Sequence, residues 1–133
     1  MIHPATLTRL WWGLGVVFVG LAVYVCLVPG DELPKAFDLN DKLSHLAGHA
    51  ALAAYFTGLV ARRSWWKILI ALFALGIAIE VAQFFMHAGR HGDPRDVLAN
   101  SCGVLLGLGL GWLGLSRWTA WAAWLSGNRR AVS

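Results

Sequence analysis

Nineteen consecutive residues, Leu10 to Val28, carry no charged side chain. A run of this kind limits the chain's options more than any other feature. Roughly 18 or more apolar residues are what an α-helix needs to cross about 30 Å of hydrocarbon. The pattern recurs three times: Leu43 to Ala61 with two histidines, Ile68 to His87 with a single glutamate, and Val97 to Leu115 with one asparagine. Only helices and closed barrels satisfy their backbone polar groups inside lipid, and strand-like alternation is absent. The expectation is an all-α polytopic membrane protein. One domain over residues 1–133 holds a four-transmembrane-helix bundle with spans at about 10–28, 43–61, 68–87 and 97–115. The first run is too long for a signal peptide, and no small-residue cleavage site follows it, so it is read as a retained helix.

Composition supports that frame. Hydrophobic residues make up 58% of the 133-residue chain, charged residues 14%, and the mean hydropathy is +0.60. A soluble domain of this size needs far more polar surface to cover its core. A net charge of +4 would suit nucleic acid, but the basic residues sit in short clusters between apolar runs. That arrangement reads as membrane topology, with no nucleic-acid partner. Arg9, Arg62, Arg63, Lys67, Arg117, Arg129 and Arg130 fall on one side, seven against the four of Lys35, Lys42, Arg90 and Arg95. The positive-inside bias then places both termini in the cytoplasm.

Tryptophan marks the same side. Trp11, Trp12, Trp65, Trp66 and Trp112 stand at span ends on the cytoplasmic side, and Trp118, Trp121 and Trp124 follow at a spacing of three. An indole carries an apolar body and an N–H donor, which suits the membrane interface, so the C-terminal segment is expected to be an interfacial helix.

The polar residues inside the runs gather at the opposite level. His45 and His49 stack four apart, with Asp41 and Lys42 just before them. Glu80, Gln83 and His87 form one stripe, and Asp96 and Asn100 are again four apart. Glu80 lies roughly 10 Å below the outer end at about 1.5 Å per residue. A carboxylate facing lipid is costly, so each stripe should face the bundle interior and together they should line an outward-facing polar site. The plainer alternative is that these groups only hold helices together. In "GDPRD", Asp93 reads as an N-cap with Pro94 first in the helix and Asp96 at its third position. Gly103, Gly107 and Gly111 form a ridge of small residues for close helix packing within the bundle, with a homo-oligomer interface as the alternative. Cys26 and Cys102 are read as two buried free thiols rather than a disulfide.

"DKLSH" (41–45), "IEVAQ" (79–83) and "GRHGDPRDVLANSCGVLLG" (89–107) resemble, in order and spacing, the three motifs of VanZ-like bacterial membrane proteins. The resemblance covers about residues 38–111 and implies a bacterial cytoplasmic-membrane setting. The family is named for a protein that lowers sensitivity to the glycopeptide antibiotic teicoplanin. Carried over by position, its motif residues are Asp41, Lys42, His45, Glu80, Gln83, Arg90, Asp93, Asp96 and Asn100, which are taken as the ligand-binding set. Family members often have an aromatic residue where this chain has His49.

The favoured function is a binding or resistance module, binding or altering a cell-envelope component. Lys42, Arg90 and Arg95 would hold an anionic group of an envelope precursor, an anionic lipid or a glycopeptide. Glu80, Gln83 and Asn100 would read its amides and hydroxyls. The alternative is a membrane-embedded enzyme acting on a lipid-linked or peptidoglycan precursor, with His45 and Glu80 as an acid–base pair. His45 and His49 have the spacing of metal ligands, with Glu80, His87 or Asp96 to complete a set, but that signal is weak; no metal and no cofactor are expected.

Overall fold

Each apolar run contains a helix. The structure, a computed structural model, describes residues 4–29, 41–86 and 93–125. Among them the elements are α1 (Pro4–Leu27), α2 (Asp41–Thr57), α3 (Trp65–Met86), α4 (Pro94–Trp112) and α5 (Trp118–Leu125), with single 3-10 turns at Arg62–Ser64 and Leu115–Arg117. Two stretches, Thr6–Leu27 and Arg62–Met86, are long and apolar enough to cross a membrane. Pro94–Trp112 and Leu115–Leu125 pass the same test only as a pair, bent by 68°. The 17-residue α2 is shorter than a spanning helix usually is. Large apolar side chains such as Val16, Ile70, Phe84, Phe85, Leu98 and Leu105 are exposed, a surface suited to hydrocarbon.

The helices alternate in direction, and the glycine ridge explains their closest contact. A Cβ added at Gly103 would run into the Leu46 carbonyl oxygen, one at Gly107 into that of Ala50, and one at Gly111 into the Thr57 side chain 2.6 Å away. The partners climb α2 as the glycines climb α4, so these two helices are parallel and pack backbone to backbone. The ridge is thus used inside the bundle, as expected for small residues at four-residue spacing. α3 runs the other way: Gly76 lies against Asn100, and a turn later Glu80 reaches Asp93. Leu52, Ala53, Ile68, Leu72 and Val104 form the apolar core between them.

The tryptophan end is closed by indoles. α2 stops at Thr57, four residues short of the apolar run's end, because Gly58 and Leu59 turn their N–H groups back to Tyr55 and Phe56 at 3.1 and 3.0 Å. A side chain at Gly58 would collide with Trp118. That indole donates to the Tyr55 carbonyl at 2.9 Å and stacks on the Tyr55 ring at 4.8 Å, while Trp11 meets it edge-on at 5.0 Å. Gly114, at φ +120°, permits the turn that brings α5 back to this position, a conformation L-residues with side chains rarely adopt. All eight tryptophans fall where α1 and α3 begin and α2 and α4 end, or on α5. Trp118 is turned inward, whereas Trp121 and Trp124 are exposed. Neither cysteine forms a disulfide; Cys26 is buried as expected, whereas Cys102 is exposed rather than buried.

The ridge yields a paired prediction. Gly107→Leu should destabilise the purified protein by roughly 1–3 kcal/mol or more, since the added atoms meet backbone that cannot yield. Gly109→Ala, whose Cβ meets nothing within 4 Å, should leave the thermal transition unchanged or slightly raised.

Candidate functional site: a buried polar cluster

Parallel packing of α2 on α4 sets His45 opposite Asn100. The His45 Nδ1 donates to Asn100 Oδ1 at 3.0 Å and lies 3.8 Å from Glu80 Oε1. Glu80 comes from α3, and its other oxygen accepts the Asp93 backbone N–H at 3.1 Å. It therefore binds a free backbone donor at the start of α4, where the positive end of the helix dipole also favours a carboxylate. Asp93 caps the same helix, accepting the Arg95 N–H at 2.9 Å, with Pro94 next in line as the sequence indicates. Lys42 spans from α2 to α4, donating to Asp93 Oδ2 at 2.9 Å and to Asp96 Oδ1 at 3.0 Å.

Three helices therefore bring together Lys42, His45, Glu80, Asp93, Asp96 and Asn100. His45, Asp96 and Asn100 are almost fully buried, and Glu80 is 7% exposed. Glu80 and Asp93 also line a cleft of about 270 Å³ between α3 and α4. Gln83 takes a different direction. Its Nε2 donates to the Cys26 carbonyl at 2.7 Å, which satisfies one of the last carbonyls of α1 and ties α1 to α3. Asp41 opens α2, but its side chain, Arg90 and His87 lie outside the described residues.

Two features were not read from the sequence. Gly76, one turn before Glu80, makes room for Asn100, whose Nδ2 would lie 2.9 Å from an added Cβ. Its place on the Glu80 face was the available signal. His49 donates its Nδ1–H to the His45 carbonyl at 3.1 Å, a bond within its own helix. It therefore stands apart from the group of His45, Glu80 and Asp96, whose donor atoms lie within 4.8 Å of one another. One nitrogen and two carboxylates form a set that a divalent cation accepts, yet the Lys42 ammonium already supplies positive charge to Asp96. Among the described residues, His49 Nε2, Gln83 Oε1 and Asn100 Nδ2 are buried without a hydrogen-bond partner.

This constellation joins the three sequence motifs on three helices. The chain matches the VanZ/LLP1 family over residues 22–115, well over half its length. It belongs to that family. No curated protein and no solved structure matches it. Within this VanZ/LLP1 chain the "DKLSH" motif contributes Lys42 and His45, "IEVAQ" contributes Glu80, and the third motif contributes Asp93, Asp96 and Asn100.

At the rim, the hydrogen bonds that Lys42 donates to Asp93 and then to Asp96 raise its pKa above 10.5. The Arg95 N–H, and after it Lys42, lower that of Asp93 below 3.8. The Lys42 contribution is complete below its unfolded value and is lost as pH rises through its raised folded value. The Asp93 contribution is present above its unfolded value and is lost as pH falls through its lowered one. The thermal midpoint of the purified protein should therefore show no change from these two groups between those limits and should fall beyond each. Lys42→Met should lower the midpoint at neutral pH and remove the alkaline fall, as a pH series of melting curves would record.

Proposed function

We propose that the chain is an outward-facing binding module of the bacterial cytoplasmic membrane. In this reading α1, α2, α3 and the bent α4–α5 pair make four crossings, both termini are cytoplasmic, and α5 lies in the interface. The polar cluster then opens under the outer loops. Its ligand is a cell-envelope component: a precursor, an anionic lipid or a glycopeptide of the teicoplanin type. Binding or altering it lowers sensitivity to such an antibiotic.

One observation carries the reading. Six polar side chains from three helices meet at the end of the molecule that has no tryptophan. Ionisable groups within apolar helices are costly to place there, and they commonly serve function. Arg90, together with Arg95 in the first turn of α4, would add charge-assisted bonds to a phosphate or carboxylate. Family membership supports the link to glycopeptide resistance.

The 3.8 Å approach of His45 to Glu80 favours one second reading, acid–base chemistry on a lipid-linked or peptidoglycan precursor. A product peak after incubating membranes with labelled precursor would distinguish it from binding alone.

The principal test is teicoplanin susceptibility of cells expressing wild type, Glu80→Gln and Arg90→Ala at matched membrane levels. Wild type should protect, and both variants should lose most of the protection. Equal protection by all three removes the cluster from the mechanism.

A further inference from the structure

The charges of this chain are sorted by end. Its seven acidic residues lie at positions 31–41, 80, 93 and 96, so none falls on the segments that build the tryptophan end. Arg9, Arg62, Arg63, Lys67 and Arg117 all stand there, and all are exposed. Among the described residues no carboxylate pairs with any of them. The counter-charge at this end is left to the surroundings.

Arg62 is held in place from two sides. Its guanidinium carbon lies 4.7 Å from the ring centre of Trp112, at the end of α4, and 5.6 Å from that of Trp65, at the start of α3. Trp65 is itself fixed, because its indole N–H donates to the Val60 carbonyl at 3.0 Å. A guanidinium stacked on aromatic faces keeps its N–H groups in the plane of the fork, where they match the oxygens of a phosphate. Arg63 follows directly, and the Lys67 ammonium lies 5.6 Å from the Trp66 ring.

Trp112 also forms one wall of a groove on the exposed face of α4. Gly109 is its floor: a Cβ there would meet nothing within 4 Å, while Leu105, Leu106 and Leu113 stand around it. The open space is about 470 Å³. It runs from Trp112 back to Leu105, a length of roughly 10 Å at about 1.5 Å per residue. In a membrane that direction leads from the headgroup level, where indoles settle, into the hydrocarbon. Charge and apolar channel therefore meet at one indole, the first above the second.

We infer that Arg62 and the groove beside Gly109 form a site for one anionic phospholipid, its phosphate on the guanidinium and an acyl chain along α4. Exposed leucines alone suit any lipid; the cations above them, lacking a carboxylate partner, select an anionic headgroup. The site rests on the chain's membrane-spanning character and not on what the cluster of Lys42, Glu80 and Asp96 binds.

Native mass spectrometry of the full-length protein in mild detergent tests it, with phosphatidylglycerol and phosphatidylcholine of the same chains as probes. Phosphatidylglycerol should be retained as one molecule per chain, about tenfold more tightly than phosphatidylcholine, whose choline brings positive charge to a positive site. Arg62→Gln should weaken phosphatidylglycerol binding about tenfold, the scale of one charge-assisted hydrogen bond. Arg9→Gln removes the same charge from the same end, but from α1, and should leave binding nearly unchanged. Gly109→Leu fills the groove and should weaken binding with its melting transition intact. Glycerophosphoglycerol, the headgroup without chains, should not compete. A phosphatidylglycerol with a diazirine in its chain should label residues around Gly109 in the unaltered protein, a readout that needs no variant.

Equal losses from Arg62→Gln and Arg9→Gln overturn the inference in favour of diffuse surface charge. Binding that ignores Gly109→Leu overturns it too, as does competition by the chain-free headgroup or labelling spread evenly over the exposed faces of α1 and α3. Labelling that fades as a dimer forms assigns the face to a second copy of the chain and has the same result. None of these outcomes bears on the antibiotic test, because Glu80→Gln and Arg90→Ala leave Arg62, Trp112 and Gly109 in place.

Discussion

Backbone contact between α2 and α4 is the constraint on which the polar cluster depends. At Gly103 and Gly107 the missing side chains let α4 settle against the carbonyls of Leu46 and Ala50. In hydrocarbon, association draws on such packing rather than on expulsion of water. The close approach then decides the chemistry above it. It places His45 within hydrogen-bond reach of Asn100 and Lys42 within reach of Asp93 and Asp96. If α4 stood further from α2, those donors and acceptors would be separated inside a medium that offers few substitutes.

Burying Asp96 and Glu80 is tolerable because each carboxylate has a specific partner. The Lys42 ammonium serves the first; the Asp93 N–H and the nearby imidazole serve the second. Such pairs add little net stability, since the cost of desolvation offsets most of the attraction. Removing one member leaves a buried charge uncompensated. The cluster is therefore sensitive to single changes, whether its task is to bind a ligand or to hold three helices in register.

The parts legible in the sequence follow from local rules. Asp93 before Pro94 announces a helix start, and three glycines at four-residue spacing announce a close contact, because neither depends on distant neighbours. The polar stripes on α2, α3 and α4 could be aligned by depth from rise per residue alone. What the sequence could not supply was rotation about each helix axis. Gln83 shares a stripe with Glu80 yet turns to the end of α1, since the angle between their side chains is enough to face a different neighbour. His49 resembled a partner for His45 by spacing, but its Nδ1 finds a carbonyl one turn back and leaves the cluster. The short α2 was hidden for a related reason: residues 58–61 are apolar enough to extend the helix, and only Trp118, arriving from more than fifty residues away, accounts for the turn at Gly58. The groove of about 450 Å³ between α1 and α2 was illegible because it is defined by how far two helices diverge, which no periodicity encodes.

The confinement of every indole to one end has a mechanical consequence. Indoles prefer the headgroup level, so they fix that end of the bundle to one face of the bilayer and leave the far end without such a fastening. When the surrounding lipid becomes thicker or thinner, whatever mismatch tilt and bilayer deformation do not take up would fall on the end that carries Lys42 and Asp93. Thicker lipid would draw those side chains toward the acyl chains, and thinner lipid would lift them toward water. The depth at which this protein presents its charges is thereby coupled to the thickness of the membrane around it.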